Sequence, residues 1–165
     1  MAVKFVTGVI LDEAVDLSKD VFRAGARCKE GNDQSILIKF NNGSGNEDAA
    51  IGQFLCGFDS AGSYEDYEGT NDLNDSDAVP NLPWGQMMAA PDDGEGVWCR
   101  YLGHSDYAAV TDGTAAEGGA VVLASATVGG IKQKAALTER EVGVALQDDV
   151  VNELAAGGLF INIPL

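Results

Sequence analysis

Short apolar runs that alternate every second residue, divided by glycine-bearing turns, recur along the chain, and that period suits strands far better than helices. The runs are AVKFVTGVI (2–10), QSILIKF (34–40), GVWCRYLG (96–103), GAVVLA (119–124), GIKQKA (130–135), EVGVALQ (141–147) and GLFINI (158–163). In three of them a shared face can be read directly: Ile36, Ile38 and Phe40; Val142, Val144 and Leu146; Leu159, Ile161 and Ile163. Strands at such spacing predict a mainly β fold, a small antiparallel β-barrel or sandwich. The 21 glycines among 165 residues agree, being almost twice the usual share and serving turns. Two stretches carry weaker helical signals, 12–22 and 146–158, the second ending on Gly157 and Gly158 as a C-terminal cap does. One or two short helices are therefore expected beside the strands. A chain of this length buries about 70% of its unfolded surface as one domain, so residues 1–165 read as a single β-rich domain.

Charge is distributed unevenly. Residues 1–39 hold six basic side chains, residues 40–99 none and residues 100–165 four, while twelve of the 26 carboxylates lie between Lys39 and Arg100. A long acidic, loop-rich insertion is expected around 41–95. Its centre, 60–85, shows no sustained period and is dense in Gly, Asn, Asp, Ser and Pro, which predicts a long loop. Loops of that length in compact domains tend to be functional, and Tyr64, Tyr67 and Trp84 give this one the aromatic anchors of a protein contact. The formal net charge of −16 repels phosphate backbones and anionic headgroups, so neither nucleic acid nor a membrane is expected as a partner. An acidic surface also keeps an abundant protein soluble, which needs no ligand.

Chemistry-bearing motifs are sparse. His104, Ser105 and Asp106 spell the members of a triad, but consecutive residues cannot adopt its hydrogen-bonded relay and no GxSxG elbow accompanies them. His104 is the chain's one histidine, short of the usual zinc sets. NNGSGNEDAA (41–50) follows a predicted strand as a dinucleotide-binding turn would, yet Glu47 and Asp48 stand where pyrophosphate would sit, so a plain loop is expected. Asp72, Asn74 and Ser76, with Asp75 and Asp77, offer oxygens at calcium-like spacing without the glycine and distal glutamate of an EF-hand. Cys28, Cys56 and Cys99 are scattered and odd in number, hence expected to be reduced and largely buried. Lys4, Thr7 and Gly8 interrupt the first apolar run with no cleavage signal following, so no signal peptide is read, and no stretch reaches the roughly 18 continuous apolar residues of a membrane span. These grounds assign no catalytic residue, metal ligand or cofactor, and a non-enzymatic role is expected. Trp98, inside an alternating strand, reads as core, whereas Trp84 beside Pro83, Met87 and Met88 suits either an adaptable contact surface or burial under the loop.

Three segments near the C-terminus carry a resemblance: GGAVVLA (118–124), EVGVALQDD (141–149) and GGLFINIPL (157–165). A glycine-preceded strand, a short excursion, a GVAL segment followed by acidic residues and a closing glycine-led strand resemble the capsid cement, or head-decoration, proteins of tailed bacteriophages. The acidic middle, 40–99, departs from that pattern, since compact members do not need it. The resemblance implies a small β-barrel, often trimeric, on the outside of an expanded capsid. Its partners would be the phage major capsid protein and further copies of itself, with no cofactor, and its place the virion after synthesis in the host cytoplasm. On that reading the N-terminal run, with Val3, Phe5 and Val6, adds a strand to a capsid edge; Tyr64, Tyr67 and Trp84 form a loop contact; and Ile161 and Ile163 line a C-terminal contact strand. Two alternatives remain at this stage: another virion part, of tail or head completion, and a calcium-assisted carbohydrate or cell-surface binding module built on the acidic, aromatic loop.

Overall fold

The computed structural model describes residues 5–6, 9–19, 22–45, 47–59 and 67–165. In chain order the strands are β1 (Phe5–Val6), β2 (Arg27–Glu30), β3 (Asp33–Phe40), β4 (Phe54–Phe58), β5 (Glu68–Thr70), β6 (Ala78–Met87), β7 (Gly96–His104), β8 (Ala109–Val110), β9 (Ala120–Leu123), β10 (Ile131–Gln133), β11 (Glu141–Ala145), β12 (Glu153–Leu154) and β13 (Leu159–Asn162). The fold is all-β and barrel-like, as the alternating runs predicted. Strands β3, β5, β4, β6 and β7 are bonded in that order, and β7 returns to β3, closing a ring that leaves these strands few free edges.

Strand β7 joins the ring to a second layer. One of its edges pairs with β3 from Gly96 to Leu102; the other is shared, Cys99 and Arg100 facing β6 and Leu102 to His104 facing β13. From β13 the sheet runs on antiparallel through β11 and β9 to β10. Two pairings break the antiparallel expectation: β3 with β5, and β1 with β2, are parallel. A continuous core spans ring and extension, built from Ile36, Ile38 and Phe40 on β3, Phe54 on β4, Val97 and Cys99 on β7, and Leu159, Ile161 and Ile163 at the end of the chain.

The outer face of β3 and β7 has its own, smaller core. Leu37 and Trp98, both fully buried, pack there with Leu11, Val15, Cys28 and Met88. Phe22 meets Trp98 edge-on with centroids 6.1 Å apart. Residues 9–19 form a strap over this patch, pinned where Val15 and Gly96 exchange N–H···O bonds of 2.8 Å in both directions. Cover on both faces explains why β3 reads as a near-continuous apolar run.

Four expectations are corrected. First, there is no helix among the described residues. In the 12–22 stretch Val15 and Leu17 serve the strap, Val15 in an isolated bridge, and the 146–158 stretch makes turns and β12. The adjacent β-branched Val150 and Val151 and the Gly157–Gly158 pair are poor helix formers, so tertiary pairing prevails. Second, 60–85 is not one loop, because β5 and most of β6 lie inside it. Pro80 and Pro83 hid β6: the register jumps from Cys56↔Pro83 to Gly57↔Val79, so Pro80 to Leu82 bulge out of the ladder, where a missing N–H is harmless.

Third, Val142, Val144 and Leu146 do not share a buried face: Val142 lies in the core, while Val144 and Leu146 are exposed and Ala145 points inward. A β-bulge between Glu141 and Gly143 shifts the register against β9 and inverts the alternation. At that bulge a Cβ on Gly143 would strike the Phe160 carbonyl oxygen, so glycine lets the two backbones approach. Fourth, the N-terminal run 2–10 supplies only Phe5–Val6 as strand among the described residues.

Candidate protein-interaction surface

The residues singled out as contacts fall into four groups. Val3 and Tyr64 lie outside the described residues. Phe5 and Val6 form β1, which extends this chain's own sheet by pairing with Arg27 and Cys28, and Val6 packs against the smaller core; the described part of the expected clamp is thus engaged internally. Trp84, Ile161 and Ile163 are buried in the main core, so their side chains hold the fold and present nothing to a partner. Trp84 also satisfies its indole, donating from Nε1 to the Glu68 carbonyl at 2.8 Å. Tyr67 is on the surface, at φ 50° with its ring 5.7 Å from Trp84.

The acidic middle is internally bonded where calcium ligands were considered. Asp75 is buried, and its Oδ2 accepts from the Ser44 N–H at 2.7 Å and the Ser44 hydroxyl at 2.8 Å, while Oδ1 accepts from the Asp77 N–H at 2.9 Å. Asp72 accepts the Asn74 N–H at 2.8 Å. Among the described residues no three His, Cys, Asp or Glu side chains converge as a metal cluster. The loop after β3, once compared with a phosphate turn, is thereby clamped onto residues 72–77. The N–H groups of Asp77 and Ser44, followed by the Ser44 hydroxyl, hold the Asp75 carboxyl below its ordinary value of 3.8. A carboxyl depressed in the folded state stabilises the fold above its unfolded pKa and loses that contribution as pH falls through the folded value. Asp75→Ala is accordingly expected to cost about 1–3 kcal/mol at neutral pH, and urea titrations should show its gap from the parent narrowing in acid below pH 4. A gap independent of pH would remove Asp75 as the clamp.

His104, Ser105 and Asp106 point to separate tasks. The His104 ring stands edge-on to Phe160 at 5.3 Å, Ser105 is buried, and Asp106 accepts from Arg100 Nη2 at 2.5 Å. All three cysteines are free and buried. Burial pushes the Cys56 thiol up to about 12 and raises Cys28 and Cys99 as well, leaving them protonated and unreactive.

The three most exposed large aliphatic side chains described, Leu137, Val151 and Val150, lie on loop tips of the C-terminal half, while Ile10 and Ile51 are exposed to a lesser degree in the N-terminal half. Leu137 is 98% exposed between β10 and β11, on an excursion held stiffly by ion pairs and caps. Glu139 accepts the N–H groups of Ala135 and Ala136 at 2.8 and 2.9 Å and pairs with Lys132 at 3.0 Å. Those contacts, the Ala136 N–H first, hold its carboxyl down at about 2. Arg140 donates to the carbonyls of Asn81 and Pro164 at 2.9 and 2.8 Å, tying the base of the excursion to β6 and to the end of the chain. Val150 and Val151, 71% and 91% exposed, occupy the turn before β12. Sequence reasoning passed over these tips because it placed Val150 and Val151 in a helix and gave residues 136–140 no role. The signal was present as large aliphatics lying outside any alternating run.

Comparison with protein-family models finds no match, and neither curated proteins nor solved structures give one.

Proposed function

We propose that the chain is a structural virion protein that binds the outer surface of a bacteriophage capsid and stabilises contacts between major capsid protein subunits. The observation that carries this reading is the display of Leu137, Val150 and Val151, the three most exposed large hydrophobic side chains described, on hydrogen-bonded loop tips. Large aliphatics held in water gain nothing for the fold itself and suit a surface completed by another protein. Further support comes from the three segments that resemble decoration proteins, which supply β9, β11 and β13, adjacent in one sheet. The charge of −16 favours fast, oriented docking on a basic protein surface and disfavours aggregation of free copies. Bridging neighbouring capsid subunits needs complementary patches and no reaction centre, and a trimer would match a three-fold position of a capsid lattice.

Light scattering on the purified protein, followed by cosedimentation with expanded, undecorated capsids of the source virus, tests the reading. A trimer saturating the capsids at lattice-like stoichiometry is expected. A monomer that leaves the capsids bare would sink the proposal.

A further inference from the structure

Strands β8 and β12, distant in the chain, pair as a small two-stranded sheet, and the tight turn that leads into β12 projects from it. Ala109 and Leu154, paired across it, are both buried in the main core. Beside them Thr111 donates its N–H to the Asn152 carbonyl at 2.8 Å and its hydroxyl to Asp149 Oδ2 at 2.9 Å, and the Asp149 N–H reaches the Ala115 carbonyl at 2.9 Å. The Val150 N–H donates to the Glu153 carbonyl at 2.9 Å, closing a two-residue turn over Val151 and Asn152. The geometry is firm up to the last residue.

Both central residues of this turn have left-handed backbones, Val151 at φ 56° and Asn152 at φ 62°. Asparagine adopts that region readily, and Asn-Gly is the pair such turns favour. Valine does not, because its branched Cβ crowds the following carbonyl. Val151 is also the second most exposed large hydrophobic side chain described, with Val150 beside it and Val110, opposite Glu153, exposed as well. Position 151 thus combines an unfavourable backbone with an apolar side chain in water, where Gly or Asn would relieve both. The turn's backbone bonds would form as well around Gly or Asn, and the exposed valine side chain adds almost no burial to them, so strain retained at this tip points to a use outside the chain.

We infer that the Val150–Val151 tip is the docking anchor of this protein, inserted into an apolar socket rimmed by basic side chains on its protein partner. The inference rests on the capsid-binding reading and adds which element docks and what receives it. The rim chemistry follows from the surroundings: Asp148, Asp149 and Glu153 adjoin the tip in the chain and Asp112 adjoins Thr111, while Lys132, next to the Ile131 that bridges to Thr111, is itself paired with Glu139. A second copy of that acidic turn would repel it, whereas Lys and Arg around a socket would complement it. A preformed tip also loses little conformational freedom on binding.

Val151→Asn separates the alternatives, because it eases the backbone while removing the apolar knob. Its melting temperature is expected to rise by about 2–4 °C, and its affinity for expanded, undecorated capsids to fall about ten-fold or more. Parent binding should weaken with added salt. An unchanged or lower melting temperature would show that Val151 serves the fold, overturning the strain argument. Parent-like capsid binding by V151N would overturn the anchor while leaving the capsid reading intact; a parent protein that ignores capsids removes both. Loss of a parent oligomer in V151N, with capsid binding unaffected, would seat the tip in a second copy and overturn the basic-rimmed partner.

Discussion

Arg100→Ala is expected to lower stability by about 3–5 kcal/mol, read as a fall in the urea unfolding midpoint at neutral pH. Arg100 sits on β7, where the ring meets the C-terminal sheet, with its side chain 2% exposed. Its guanidinium bonds Asp33 at 2.7 Å and Asp106 at 2.5 Å, and Nε reaches the Ser35 hydroxyl at 3.3 Å. One planar cation therefore ties the start of β3 to the segment after β7. Truncation leaves Asp33 and Asp106, with Glu30 4.0 Å from the guanidinium, without their counter-ion and a hole where the stem lay. Both carboxylates keep some access to water, which places the cost toward the lower end of that range. Arg100→Lys should retain more than Arg100→Met, and Met more than Ala, because an ammonium restores charge at one point, methionine restores only volume and alanine neither. Equal losses for Lys and Met would assign the effect to packing alone.

Arg100 also illustrates what one sequence conceals. Its carboxylate partners lie at 33 and 106, and nothing in the local pattern of GVWCRYLG joins them. By contrast β3 and β13 were legible, since Ile36, Ile38 and Phe40, and Leu159, Ile161 and Ile163, alternate without interruption onto one core. The same alternation misled the assignment of contacts. An apolar strand face looks alike whether it meets its own core or a partner, and Ile161 and Ile163 proved to be core. Strand β4 escaped notice because all five residues of FLCGF are buried, erasing the period that marks a strand. The prolines concealed β6, and one extra residue at the β11 bulge reversed the expected faces of Val144 and Leu146. The exposed turn at Val150 and Val151 was the least legible part, because the peculiarity of Val151 lies in its backbone angle, which composition does not reveal.

Trp98→Ala is expected to cost a further class of stability, about 3–5 kcal/mol, with a local signature that separates it from the Arg100 variants. Trp98 was read as core from its place in an alternating strand, and it is fully buried, but in the smaller core on the outer face of β7. Its ring is the floor on which Phe22, Leu11 and Val15 rest, so deleting it removes packing from beneath the strap as well as from the barrel wall. The strap is fastened by backbone bonds at Val15 and Gly96, and those bonds survive only while the apolar contacts hold the segment down. Amide exchange in the Trp98→Ala variant should therefore quicken most at Val15 and Gly96, with the Gly143 and Ile161 amides of the far sheet following only the global loss. Trp98→Phe, which keeps an aromatic floor, should restore much of the protection. Uniform acceleration across both sheets would mean that the strap has no stability of its own to lose, and that the two cores unfold as one unit.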